Sequence, residues 1–276
     1  MIKSYTKIIV KNNVRIYISD YQKVAQEILT IHKYTPLASL ILANGIATFG
    51  PVGFLYDIKK VSFLMKTNGA IKTFLLEFQN NNIRALLGDG SVITEYDENG
   101  MFNDIPLILG IGDEGLLRVS RFVESFPYTS EVPIANGDMI TDLVYYLNKS
   151  DQVFSAVIND IQLNKKNHLK VDKAKSIIFQ LMPNHNEADI LWIEKLIENN
   201  DFKNLDLIEY INLIDGEELK HQEVISKCNC TSKKMLDAIK LLSPKEHNNL
   251  FLKNENIEIK CDFCKKTVSM NIKDYN

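Results

Sequence analysis

Short apolar runs, broken by Asn and Gly turns, dominate the first two thirds of the chain. Lys7–Val10 and Val14–Ile18 flank Lys11-Asn12-Asn13 and predict a β-hairpin. Ser19-Asp20-Tyr21-Gln22 then reads as a capping box for a helix whose Val24, Ile28 and Ile31 share one face. A second helix is expected from Thr35 as N-cap with Pro36 at the first helical position. Its Leu37, Leu40, Ile41 and Ala43 make it apolar nearly all round, the pattern of a buried element. Further strands are expected at Val61–Lys66, Ile71–Phe78, Ile83–Leu87, Val92–Tyr96 and Leu116–Phe122. A helix over Asp138–Leu147 and strands near Phe154–Ile158 and Ser176–Leu181 complete this region. Beyond residue 185 the period becomes helical. Ile190, Ile193, Leu196 and Ile197 form a stripe beside Trp192, and Leu205, Ile208, Ile211 and Leu213 form another, with Asn199-Asn200-Asp201 as the break between them. The expected partner of these stripes is the preceding region; the alternative is a face covered only conditionally.

Charge sharpens these boundaries. Residues 1–185 carry 19 basic and 18 acidic side chains, residues 186–227 carry 4 and 11, and residues 228–276 carry 9 and 6. The 276 residues, 45% hydrophobic, suffice for a substantial core and about two domains. The expected fold class is therefore α+β: a mixed N-terminal domain over 1–185, an acidic helical linker over 186–227 and a small C-terminal domain over 228–276. The acidic linker and the mildly basic C-terminal piece have charges suited to mutual attraction. Met1–Val10 has no long apolar core and no small-residue cleavage site, so no signal peptide is expected and the protein is expected to stay inside the cell. Tyr34–Tyr56 lacks charge, as a membrane span does, but Asn44-Gly45 and Gly50-Pro51-Val52-Gly53 interrupt it; a buried helix and loop is expected, not a membrane contact. A net charge of −3, without a Lys/Arg stripe interleaved with aromatics, argues against nucleic acid; Lys233-Lys234 and Lys265-Lys266 read as short surface pairs.

The chemistry is concentrated in the cysteines. All four lie in the last fifth of the chain, as Cys228-Asn-Cys230 and Cys261-Asp-Phe-Cys264 with thirty residues between the pairs. Two such hooks supply the four thiolates of one tetrahedral zinc site, so Cys228, Cys230, Cys261 and Cys264 are the expected metal ligands. His221 and His247 lie near enough to replace a ligand, but with four thiolates present they are read as surface residues. His32, His168 and His185 show no recognisable catalytic spacing, and Trp192 is read as a core anchor. Gly110-Ile111-Gly112-Asp113-Glu114-Gly115 matches a dinucleotide loop only in letters, with no βαβ unit around it, and is read as a turn. Cys261-Asp-Phe-Cys264 ends a short strand, Ile257–Ile259, instead of opening a helix as in a thiol oxidoreductase. No catalytic residue is assigned, and the protein is expected not to be an enzyme. A constitutive interaction protein with a purely structural zinc remains the alternative.

A resemblance emerges when the cysteines are joined to four upstream stretches. Pro127-Tyr128, Glu131-Val132-Pro133-Ile134-Ala135-Asn136-Gly137, Asp142–Tyr146 and Ser150-Asp151-Gln152-Val153-Phe154-Ser155 occur in order. With Val14-Arg15, His32, Pro36–Ala38, Gln180-Leu181-Met182-Pro183 and the two cysteine hooks, they make the chain resemble the bacterial redox-regulated heat-shock chaperones of thirty-three kilodaltons over nearly its whole length. It departs from that family at Lys175-Ser176, where paired glycines are usual, and at Ser226, Val268 and Met270, where aromatics are usual. The resemblance implies a cytoplasmic stress-response chaperone, silent while reduced and bound to one zinc ion, with a client-binding domain over 1–185 and a redox switch over 228–276. Oxidation would convert it into a holdase for unfolding client proteins, acting as a homodimer. The economical oxidation products are the disulfides Cys228–Cys230 and Cys261–Cys264, neither able to hold zinc. About fifty residues supply little core stability alone, whereas structural zinc contributes on the order of 10 kcal/mol, so loss of the metal is expected to unfold the C-terminal piece.

Overall fold

The computed structural model describes residues 3–56, 59–94, 103, 105–123, 126–239, 241–243, 245–246 and 256–271. In chain order its elements are β1 (Ser4–Lys11), β2 (Val14–Asp20), α1 (Gln22–His32), α2 (Pro36–Phe49), β3 (Lys60–Thr67), β4 (Thr73–Gln79), β5 (Asn82–Leu87) and α3 (Ile108–Ile111). There follow β6 (Gly115–Val123), β7 (Phe126–Pro133), α4 (Met139–Lys149), β8 (Ser155–Asn164), β9 (Asn167–Leu181), α5 (Glu187–Asn199), α6 (Leu207–Ile214) and β10 (Glu217–Val224). The last are α7 (Ser232–Ile239), β11 (Asn256–Lys260) and β12 (Thr267–Asn271). The chain is mixed α+β and divides into two compact units, Met1–Ser226 and Lys227–Asn276.

The first unit contains two five-stranded sheets, ordered β10-β1-β2-β9-β8 and β5-β4-β3-β6-β7. Between them lies α2, touching β8 and β9 on one side and β4 and β5 on the other. Two sheet faces therefore meet one helix, which is why α2 is apolar around its whole circumference and almost wholly buried. A 3₁₀ turn, Gly50–Phe54, continues it. This stretch has the length and apolarity of a membrane span, but 89% of it is buried inside the fold. Asn44-Gly45 does not interrupt the helix. Gly45 serves close packing, since a Cβ there would sit 2.4 Å from the Phe74 ring.

The first sheet is buried on both faces. Tyr17, Ala174 and Ile178 join the α1–α2 core, while Ile9, Val14, Ile16, Ile18, Ile177 and Phe179 face a second core completed by Ile193, Leu196, Leu207, Tyr210 and Ile214 of α5 and α6. Double burial explains why β2 and the end of β9 are nearly continuous apolar runs. The stripes of residues 186–214 thus have a partner, the far face of this sheet. Their phase in α6 differs from expectation. Leu207, Tyr210 and Ile214 face inward, whereas Ile208 is 67% exposed, because Asp206 caps the helix through the Glu209 N–H and fixes where its first turn begins. The rest of the expected helical linker is the strand β10, hydrogen-bonded antiparallel to β1. Its acidic residues meet lysines in and just before β1: Lys7 of β1 pairs with Glu218 at 2.8 Å, and Lys3, next to its first residue, with Glu223. Ile225 then exchanges backbone hydrogen bonds with Asn81 and Ile83 of the other sheet, at 3.0 and 2.9 Å.

Several local expectations are corrected. Ser19 lies inside β2 and its hydroxyl bonds Thr6, so the N-terminus of α1 has no capping box; the Asp20 carboxylate accepts the Gln22 N–H at 3.0 Å instead. Val92–Thr94 is not a strand. The Val92 carbonyl accepts the Thr35 hydroxyl at 2.5 Å, tying this segment to the start of α2, and the rest of that expected strand lies outside the described residues. Strand β7 was not expected, because Pro127 and Pro133 break its pattern; as an edge strand it pairs only with β6, and proline is tolerated there. The strand expected near Ser176–Leu181 is longer, β9, with Lys175-Ser176 in its middle opposite Asp20 and Ser19 and the Ser176 hydroxyl on the Ala47 carbonyl at 2.6 Å. The Gly110–Gly115 stretch is a short helix and turn leading into β6, where Gly112 adopts φ 79°.

Candidate metal centre

The second unit is a helix and a hairpin. α7 packs on β11 and β12, which pair antiparallel from Asn256↔Asn271 to Lys260↔Thr267. Only Met235 and Ile257 are buried apolar side chains among its described residues. Something other than an apolar core has to hold this unit together.

Each cysteine hook is shaped by local hydrogen bonds. Cys228 and Cys230 lie in the loop before α7, where the Thr231 carbonyl accepts the Met235 N–H at 3.0 Å and begins the helix. From that helix Lys234 reaches back, its Nζ donating to the Asn229 carbonyl between the two cysteines at 3.2 Å. Cys261 and Cys264 occupy the turn between β11 and β12. The Cys261 N–H donates to Lys266 and its carbonyl accepts the Lys265 N–H, at 2.9 and 2.8 Å, with Lys265 in the left-handed region at φ 59°. Both lysine pairs read from sequence as surface charge thus contain a residue that shapes a hook.

The four sulfur atoms lie within 4.8 Å of one another. Cys228 Sγ is 3.7 Å from Cys261 Sγ, and Cys230 Sγ is 3.3 Å from Cys264 Sγ. A tetrahedron of thiolates about 2.3 Å from a zinc ion has edges of about 3.8 Å, so the arrangement fits a four-thiolate metal site. Burial alone would raise the Cys228 thiol, but the Cys230 backbone N–H and the surrounding thiols bring it down to about 7. Burial and the same neighbours push Cys230 up to about 12. Burial also raises Cys264. One thiolate therefore forms readily and opposes the ionisation of its neighbours, an opposition that a bound cation removes. All four cysteines are half-buried, within reach of small oxidants.

The described histidines lie elsewhere. His221 is on β10, its ring 5.1 Å from that of Tyr5; His247 falls outside the described residues. His168 contacts the Tyr34 carbonyl at 3.0 Å, His185 the Met182 carbonyl at 2.8 Å, and His32 stacks on Tyr34 at 4.8 Å. Trp192 meets Phe179 edge-on at 6.5 Å, anchoring α5 to the sheet.

A family model described as Hsp33 protein matches residues 4–271, the cysteine hooks included. The chain belongs to the Hsp33 family. Among its Hsp33 relatives, the 33 kDa chaperonin of Acholeplasma laidlawii is 25% identical, over 96% of this chain and 94% of that one. The 33 kDa chaperonin of Thermosipho melanesiensis is 26% identical, over 92% and 90%. The crystal structure of the 33 kDa chaperonin (Heat shock protein 33 homolog) from Thermotoga maritima superposes with a TM-score of 0.84 at 23% identity, covering 99% of this chain and 96% of that one, and so shares the Hsp33 fold.

Proposed function

We propose that this chain is a redox-regulated holdase: silent when its cysteines are reduced and hold zinc, and active on unfolding proteins once they are oxidised. Chaperone is the class of function that Hsp33 membership supports. The observation carrying the redox reading is the cluster of four sulfurs within 4.8 Å, in a unit with only two buried apolar side chains among its described residues.

The chemistry follows from sulfur. Cys228, Cys230, Cys261 and Cys264 hold one zinc ion, which supplies a charge that keeps all four as thiolates. A thiolate attacks a peroxide, breaking the O–O bond, to give a sulfenic acid and release hydroxide; a neighbouring thiolate then attacks that sulfur, expelling a second hydroxide and forming a disulfide. Two peroxides thus take four electrons from the cluster and yield the Cys228–Cys230 and Cys261–Cys264 disulfides, which no longer bind the metal. The redox-switch unit beginning near Cys228 then unfolds. In the linker, residues 186–227, the helices α5 and α6 leave the sheet face they cover, and the apolar surface so opened binds clients without sequence preference. The active form is a homodimer, and the setting is the reducing cytoplasm.

Suppression of aggregation of an unfolding protein by the peroxide-treated, zinc-free form and by the reduced, zinc-loaded form tests the proposal. Suppression by the first alone is expected. Equal suppression by both would leave a constitutive binder with a structural metal.

A further inference from the structure

The connection between α5 and α6 is held to the sheet by two cations, one buried and one partly exposed. Lys175 lies in the middle of β9, on the face that α5 and α6 cover, in line with Ile177 and Phe179. Its side chain is 9% exposed. Nζ donates to the carbonyl oxygens of Phe202 at 2.6 Å and Leu205 at 2.7 Å, and lies 4.5 Å from the centre of the Phe202 ring. Lys173, on the same face, donates to the Lys203 carbonyl at 2.9 Å. Asp160 on β8, itself 5% exposed, is 3.1 Å from Lys173 and 3.5 Å from Lys175. Two cations thus share one buried carboxylate, and three carbonyls of a single loop stabilise the remaining positive charge. Hydrogen bonds from a charged donor out of contact with water are the strong ones. Lifting the loop would strip Lys175 of both carbonyls at once. Burial lowers its pKa, opposed by Asp160, as expected for a cation kept out of water by the structure above it.

We propose that Lys175, seconded by Lys173, is a positioning residue: a latch that holds the α5–α6 segment on the first sheet and sets how readily it lifts. The latch itself depends only on the contacts above; its connection to chaperone activation rests on the redox reading already given. Lys175→Met is a suitable test because it leaves the Asp160–Lys173 pair intact, strands no buried charge, and replaces one unbranched side chain by another. Lys175→Arg keeps charge and donors.

The experiment is hydrogen exchange on full-length, reduced, zinc-loaded protein, with emission of the single tryptophan, Trp192 of α5, as a second readout. Amides of α5 and α6 should exchange about tenfold faster or more in Lys175→Met, while β3 and β4 remain unchanged. Trp192 emission should shift to the red, and Lys175→Arg should stay near the parent. Unchanged α5 and α6 exchange, or equal acceleration in β3 and β4, would overturn the latch. If peroxide activates the parent while Lys175→Met exchanges normally, the latch falls and the redox reading stands. If exchange accelerates as expected but peroxide activates neither protein, the latch stands and the redox reading falls.

Discussion

Single side chains show where this molecule is strong and where it is not. Tyr210 is fully buried, lies edge-on to Phe202 at 5.3 Å, and its hydroxyl has no hydrogen-bond partner among the described residues. Burial pushes that hydroxyl up to about 12. A buried, unpaired hydroxyl costs more than it returns, so Tyr210→Phe is expected to stabilise the reduced protein by about 1 kcal/mol in urea unfolding. A comparable loss would mean that the hydroxyl is bonded. At the cysteines, replacing any one, for instance Cys264→Ser, removes one corner of a tetrahedron whose neighbours cannot compensate. Zinc per chain after dialysis should fall from one toward none, and protease resistance of residues 227–276 should fall with it while the first unit keeps its resistance. That the four cysteines cluster was legible in the sequence because two short hooks are a recognisable local spacing. Lys234 was not, since its contact with Asn229 depends on the direction in which α7 leaves the hook.

Secondary-structure elements divide in the same way. The first hairpin and α2 were readable, because turn residues and all-round apolarity report directly on local geometry and burial. β10 was not: its polar sequence, with three glutamates in eight residues, is that of an edge strand, held in part by Lys7 of β1. The phase of α6 also escaped, since Ile208 and Leu207 are equivalent in hydrophobicity and only the Asp206 cap distinguishes them. Two expected outcomes belong to this scale. Gly45→Ala would gain up to about 1 kcal/mol of helix propensity, but the new methyl meets the Phe74 ring in a core that does not yield, an overpacking cost of about 1–3 kcal/mol. The variant should therefore melt below the parent, and melting above it would show that the ring moves freely. Asp189, at the start of α5, accepts the Asn186 N–H and the Asn13 side-chain amide, which hold its carboxyl below the usual carboxylate range. A folded value below the unfolded one means that its contribution is complete above the unfolded pKa and is lost as pH falls through the folded value. Trp192 emission should therefore shift red in acid in the parent. Asp189→Asn should flatten that dependence, and an unchanged acid profile in the variant would assign it to other groups.

At the scale of the whole molecule the two units rest on different physics. Met1–Ser226 has two sheets, a helix between them and a second apolar layer on the outer face of one sheet. Lys227–Asn276 has four cysteine sulfurs, and Met235 and Ile257 as its only buried apolar side chains among the described residues. On the proposed reading, a metal contributing on the order of 10 kcal/mol would be the difference between an ordered and a disordered tail, and oxidation at sulfur would become a change of structure. Hydrogen exchange at the β11–β12 amides, followed through a peroxide titration with zinc release read on the same sample, tests this most directly. Protection should vanish in step with the released zinc, and a zinc chelator alone should abolish it in reduced protein. A hairpin that stays protected after the metal has gone would contradict the account.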